Sequence, residues 1–432
     1  MSIAMPKPLT IAEPEPPTDA PAAAFALWAL GFRPFYLLAS VFAALSIPLW
    51  VAQYAGYLPA ALAHSPAWHG HEMLFGYTLA VVAGFLFTAG RNWTGQPTPT
   101  GHALLAFALL WVAGRVLMLT PYALAAAVVN AAFPVAVAIA LAVPLWKSRN
   151  QRNYFFVPLL LLLGAAVLAL HLSWLGILAW PERASLLAGL DIVLFIIAVM
   201  GGRVIPMFTN NGIPGTQASR HPLVERLALG SVLLLLAADL AQAPAAVIAG
   251  IALVAALAHA ARLYRWQPWR TLRTPLVWVL HAAYAWIVVY LLLRASAALG
   301  LVAEPLALHA LTVGAIGGMT LGMMTRTARG HTGRPLVADR YEVAAYLLVL
   351  CAALIRVFGG MIVPDAYPGT LIGSGVCWSL AFAIYAIRYW PLLSRARIDG
   401  KPARVRQLNA QVIDCYEPGF KNVYYNRESC CG

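Results

Sequence analysis

The sequence predicts an all-α membrane bundle of about twelve transmembrane helices, and three features lead there. Of its 432 residues, 61% are hydrophobic and only 10% charged, with a mean hydropathy of +0.75, far beyond what a water-soluble core requires. The apolar residues fall into runs of roughly 20, the length that crosses a bilayer as a helix with every backbone group satisfied internally. The positive charges alternate between the connections: of 29 lysines and arginines, all but Arg115, Arg183, Arg294 and Arg356 fall on the side shared by both termini. By the positive-inside rule that side is the cytoplasm. The net charge of +13 therefore reports topology and anionic lipid rather than a nucleic-acid partner.

Residues 1–30 precede the first span, and their Pro- and Ala-rich start carries Glu13, Glu15 and Asp19 before any apolar run. That is wrong for a secretory signal peptide and reads as a disordered cytoplasmic tail. The membrane domain occupies 31–397. Its first span, 35–54, follows GFRPFYLLA, where Arg33 would anchor at the headgroups and Pro34 would open the helix. Span 2, at 70–89, begins in WHGHEMLF and stops at RNWTGQP, whose Thr, Gly and Pro end a helix and turn the chain. Spans 3, 4 and 5 are expected at 102–120, 123–146 and 155–176. Span 6, at 184–207, carries Asp191 in its outer part. Spans 7, 8 and 9 follow at 223–242, 245–263 and 275–297. Span 10, at 306–325, carries Gly314, Gly318 and Gly322 and ends in RGHTGRP, a second copy of the close of span 2. Spans 11 and 12 fall at 341–362 and 370–391, and a polar cytoplasmic tail fills 398–432. The cysteines Cys351, Cys377, Cys415, Cys430 and Cys431 form neither a disulfide framework nor a paired metal motif.

The resemblance of spans 2 and 10 is an internal repeat. At a shift of 238 residues, His71, Gly76, Gly84, Arg91, Thr94, Gly95 and Pro97 fall on His309, Gly314, Gly322, Arg329, Thr332, Gly333 and Pro335 without a gap. Both spans run in the same direction, so the repeat is parallel. A transporter of six plus six helices would instead relate span 2 to span 8, which lacks the pattern. Eight helices of separation fit a four-helix unit repeated three times, with a weak third copy at span 6 in Gly202 and Asn210. This is the architecture of the haem-copper oxidase catalytic subunit, an analogy of fold that does not give function. No His-His pair lies on span 7 and no histidine on span 6, so the copper centre of that superfamily is not expected.

The histidines divide by side. His64, His69, His71, His171 and His309 lie toward the periplasmic face, while His102, His221, His259, His281 and His331 lie toward the cytoplasm. His71 and His309, at similar depth, can supply both axial positions of a haem iron, or each can hydrogen-bond a neighbouring helix. His69 with Glu72 can hold copper or cap the helix; two residues from His71 is about 200° around a helix, so His69 and His71 share a metal only if Gly70 breaks the helix start. Arg115 and Arg356 can reach haem propionates or snorkel to the interface, and Asp191 can pair with either. Met319, Met323 and Met324 serve as copper ligands or as core filler, and the glycines of span 10 admit a macrocycle or a close helix. No catalytic residue stands out.

Together, GFRPFYLLA, WHGHEMLFGY, AVVAGFLFTAGRNWTGQP and HALTVGAIGGMTLGMMTRTARGHTGRPL resemble the NnrS family of bacterial inner-membrane proteins, over nearly all of 31–391. The resemblance implies a haem- and copper-containing, metal-binding membrane protein tied to denitrification, nitrosative stress and the nitric oxide response. It implies nitric oxide or a related small molecule as partner and leaves the electron donor open. A secondary transporter of a small metabolite or metal species, its path lined by Asp191 and the glycines of span 10, is the competing expectation.

Overall fold

The computed structural model describes residues 25–57 and 66–399. Residues 1–24 and 400–432 of the expected tails, with Cys415, Cys430 and Cys431, and the segment holding His64 lie outside the described residues, whereas 25–30 are described, with a short 3-10 helix at Leu27–Ala29 and Leu30 buried. Within them the chain forms twelve long helices: α1 (Phe32–Tyr54), α2 (Pro66–Thr94), α3 (Gly101–Leu117), α4 (Ala123–Lys147), α5 (Phe156–Trp174), α6 (Glu182–Gly212), α7 (Pro222–Leu240), α8 (Ala245–Arg265), α9 (Pro275–Ala298), α10 (Glu304–His331), α11 (Arg340–Ile362) and α12 (Tyr367–Ser394). Ten of these are long and apolar enough to cross a membrane. The other two are α3, with 17 residues, and α7, whose 19 residues include Glu225, Arg226 and Asp239. No strand occurs among the described residues. An isolated bridge pairs Phe25 with Arg395, and the Ala26 N–H donates to the Ser394 carbonyl at 2.7 Å, so both ends of the described chain meet at one end of the bundle. Arg33 belongs to this junction. It is buried rather than at the headgroups, because its guanidinium donates to the last carbonyls of α12, Leu393 and Arg395, at 2.7 Å each.

From α4 to α10 each helix packs beside its successor, and α12 lies along both α11 and α1, closing the ring. The inner positions go to α2, α6 and α10: 83%, 72% and 67% of their most apolar stretches is buried, against at most 61% in any other candidate span. The inner place thus recurs every four helices, as a four-helix unit repeated three times requires; α8, which a six-plus-six scheme would match to α2, is only 39% buried.

The repeat extends to the backbone. Directly after His71, residues Glu72–Thr78 widen into a π-helix; directly after His309, Ala310–Gly317 do the same, so the two π segments begin 238 residues apart like the histidines. A π turn frees carbonyls that an α-helix would pair, and in a membrane those need other donors. The Thr78 hydroxyl donates to the Met73 carbonyl at 2.8 Å and the Trp111 indole to Gly76 at 3.0 Å. In α10 the Thr320 hydroxyl lies 2.7 Å from the Ile316 carbonyl and 2.5 Å from the Tyr77 hydroxyl of α2, tying these two helices together. The matching TG turns close α2 and α10 with Gly95 (φ 66°) and Gly333 (φ 78°) in the left-handed region, where glycine is unstrained.

Candidate functional site

A cluster of mostly buried polar groups, with five of the spans' histidines and arginines at its centre, His69, His71, His171, Arg115 and His309, lies at the end of the bundle opposite the chain termini, where α2, α6 and α10 begin and α3, α5, α7, α9 and α11 finish. α2 runs without a break from Pro66 through His71, so Gly70 does not bend it. On a continuous helix His69 and His71 then point to different sides, and each finds a different partner.

His71 turns toward α5. Its Nδ1 lies 2.8 Å from Glu72 Oε1 and its Nε2 3.1 Å from His171 Nε2, with the Trp174 ring against both imidazoles. Glu72 is 1% exposed and also accepts from Arg115 at 3.0 Å. Arg115 donates on to Asn130, whose own amide bonds the Ala126 carbonyl at 2.8 Å, so a buried chain of polar groups runs from α4 through α3 and α2 to α5. The guanidinium lies so close to Gly76 that any Cβ there would collide with it. The Glu72 carboxylate can only accept, so it fixes the proton of a neutral His71 on Nδ1 and leaves the Nε2 lone pair facing His171. That pair has two uses. His171 can donate a hydrogen bond, or both nitrogens can bind one metal: with metal–nitrogen bonds of about 2 Å, a 3.1 Å separation corresponds to roughly 100° at the metal, near tetrahedral. A carboxylate behind a ligating histidine is the usual outer shell of such a site.

His69 turns toward α1 and α10. Its ring stacks on Trp50 at 4.4 Å between centres and lies nearly parallel to His309, 12° between planes and 6.5 Å between centres. His309 Nδ1 donates to the Pro305 carbonyl one turn back at 2.6 Å, which leaves its Nε2 free to act as a ligand. Arg356, from a short π segment of α11, contacts the Tyr367 hydroxyl at 3.4 Å and lies within electrostatic reach of both His69 and His309. Trp50, Trp68 and Leu371 form an apolar cluster beside Trp50's partner ring.

The structure therefore regroups the residues singled out from the sequence. His71 and His309 each have a different nearest imidazole, His171 and His69 respectively, because the unbroken start of α2 separates its two histidines. Glu72 serves His71 and Arg115 rather than His69. Arg115 is engaged by Glu72 and Asn130, whereas Arg356 keeps only a long contact to Tyr367. Asp191 pairs with neither arginine; its neighbours are Asp239 and Arg294. The glycines of α10 admit protein rather than an open path, since a Cβ on Gly314, Gly317 or Gly318 would strike Trp286, Trp378 or Ala283. Met319 and Met324 are core residues and Met323 packs against them. Asp239 is the member that the sequence did not bring forward; His171 was placed on the periplasmic face but given no partner, although it lies at the end of α5, level with the start of α2. Among the described residues, no three His, Cys, Asp or Glu side chains converge closely enough to hold a metal by themselves, so any metal here would rest on imidazole pairs.

No curated protein matches the chain. The family model described as NnrS protein matches residues 26–397, spanning all twelve helices and both histidine pairs, and the chain belongs to the NnrS family.

Proposed function

We propose that this protein is a haem protein of the nitric oxide response, in which His69 and His309 would hold the haem iron and the His71–His171 pair would hold copper. Family membership supports the coarser statement, a membrane protein related to the nitric oxide response. The observation that carries the finer one is the His69–His309 geometry. Two imidazoles on opposite sides of one metal, each with a bond of about 2 Å, place their ring centres roughly 6 Å apart. The rings here are 6.5 Å apart and nearly parallel, and His309 Nδ1 is already committed to a backbone carbonyl. Trp50 and the Pro305 carbonyl orient the two rings separately, and parallel rings at that separation are too far apart to be stacked on each other, so no direct contact between them accounts for the alignment.

Arg356 supplies a cation beside the pair, suited to a propionate, while Arg115 holds Glu72 and through it the tautomer of His71. Trp50 covers one face of His69 and keeps the ring from turning. Bound there, haem would supply one-electron redox chemistry, and a diatomic ligand such as nitric oxide would reach the iron by displacing one of the two histidines. The charge distribution supports both termini in the cytoplasm of a bacterial inner membrane, which puts the histidine end on the periplasmic side.

The test is the absorption spectrum of the purified protein. A Soret band that shifts on addition of nitric oxide is expected. A protein purified from haem-replete cells with no Soret band would overturn the proposal and favour the transport reading.

A further inference from the structure

A second buried cluster lies at the same end of the bundle, on the side of α6 turned toward α7 and α9. Asp191 of α6 is fully buried, and among the described residues neither of its carboxylate oxygens meets an N–H or O–H donor. Its neighbour within hydrogen-bonding range is another carboxylate, Asp239 of α7, whose side chain is 5% exposed and has its own Oδ2 without a donor among the described residues. Arg294 of α9 takes Asp239 Oδ1 at 2.5 Å and Glu304 Oε1 at 2.9 Å, and the exposed Arg183 takes Glu304 from the other side. The Tyr290 hydroxyl, fully buried, also lacks a partner and lies within electrostatic reach of Asp191, Asp239, Arg294 and Glu304. On the α2 and α5 side of α6, the titratable groups His71, Glu72 and His171 are engaged with one another.

Two carboxyl groups hydrogen-bond only when one is protonated, and two bare carboxylates in contact within a membrane repel with nothing to screen them. Charge gives the same count. Asp191, Asp239 and Glu304 bring three negative charges against two from Arg183 and Arg294, so one bound proton makes the cluster neutral. A metal cation would offer the same balance but would have to sit beside the Arg294 guanidinium, which a proton on a carboxyl oxygen does not.

We propose that Asp191 and Asp239 form a proton-binding site, one proton shared between the two carboxyl groups with the unpartnered Tyr290 hydroxyl within electrostatic reach. The site is independent of any haem. At neutral pH Asp191 is a carboxylic acid donating to Asp239, and Arg294 neutralises Asp239.

The experiment is infrared spectroscopy of the protein in lipid, with and without carbon-13 labelling of aspartate. Wild type should show an isotope-sensitive protonated-carboxyl band at pH 7. Asp191→Asn and Asp239→Asn should each lose it, because either leaves two carboxylates, the remaining aspartate and Glu304, balanced by Arg183 and Arg294 without a proton, and the exposed Asp365→Asn should keep it. Asp191→Asn, an isostere of the neutral acid, should also keep the wild-type melting temperature. No band in wild type at pH 7, or a band that survives in both variants, overturns the proposal. So does a band that appears only after sodium is removed, together with sodium-dependent melting, since the ligand would then be the cation. If Asp191→Asn does not fold, Asp239→Asn decides the matter alone.

Discussion

Removing the Glu72 carboxylate should destabilise the protein far more than losing one side chain's packing, because Arg115 would remain buried without its counter-charge. The Arg115 side chain is 9% exposed and that of Glu72 is 1%, with 3.0 Å between them. Breaking such a pair from one side costs about 3–5 kcal/mol. Arg115 keeps its bond to Asn130 in the Glu72→Ala variant, so the lower half of that range is expected, about 3 kcal/mol. Arg115→Ala leaves Glu72 with His71 alone and should cost a similar amount. The double variant removes both charges and should cost less than the two singles together, by about 2 kcal/mol, the coupling typical of contacting residues. Reversible unfolding in mixed micelles of the four proteins gives the cycle directly. Additivity to within about 0.5 kcal/mol would mean that the two groups do not depend on each other, and the polar chain from α4 to α5 would lose its basis.

Gly76→Ala should destabilise by about 1–3 kcal/mol in the same assay, as its Cβ meets the Arg115 guanidinium, whereas Gly230→Ala, with open space around it, should be neutral or stabilising by up to about 1 kcal/mol. Asp339 caps α11, accepting from the N–H groups of Tyr341 and Glu342 at 2.9 and 3.1 Å, so Asp339→Ala should cost about 1 kcal/mol. Partial burial works against ionisation of this carboxyl, but the Glu342 N–H, Arg388 and the Tyr341 N–H outweigh it and hold the group below its usual range. Its contribution is therefore complete above the unfolded value of about 4 and lost as pH falls through the lower folded value, and acid melting curves of wild type and Asp339→Ala should converge there. Reporter fusions after Arg149 and after Arg270 should read cytoplasmic and one after Gly300 periplasmic; the reverse pattern would invert the sidedness assigned to the histidines.

The twelve helices were legible because hydropathy and alternating charge depend on composition over about 20 residues and tolerate local detail. Even α7, with Glu225, Arg226 and Asp239 among its 19 residues, was found from its apolar centre. The repeat carried further than spacing alone promised, since it marked not only His71 and His309 but the π turns that follow each of them. Partnership was not legible. Whether His69 or His71 faces α10 depends on the exact start of α2 and on a helix that stays unbroken at Gly70, and a shift of two residues reverses the answer. Asp239, and the partner of His171, were hidden for a related reason: each matters only through a neighbouring helix, and one sequence without a structure does not say which helix faces which.

The most direct measurement of the central claim is haem content per chain in four single variants. His69→Ala and His309→Ala should each abolish it, because each removes one of two facing ligands. His71→Ala should retain it, since His71 is held by Glu72 and His171, and so should His281→Ala at the opposite end of the bundle, where its Nε2 bonds Thr209. Loss of haem in His71→Ala with full retention in His69→Ala would contradict the account and make His71 and His309 the pair.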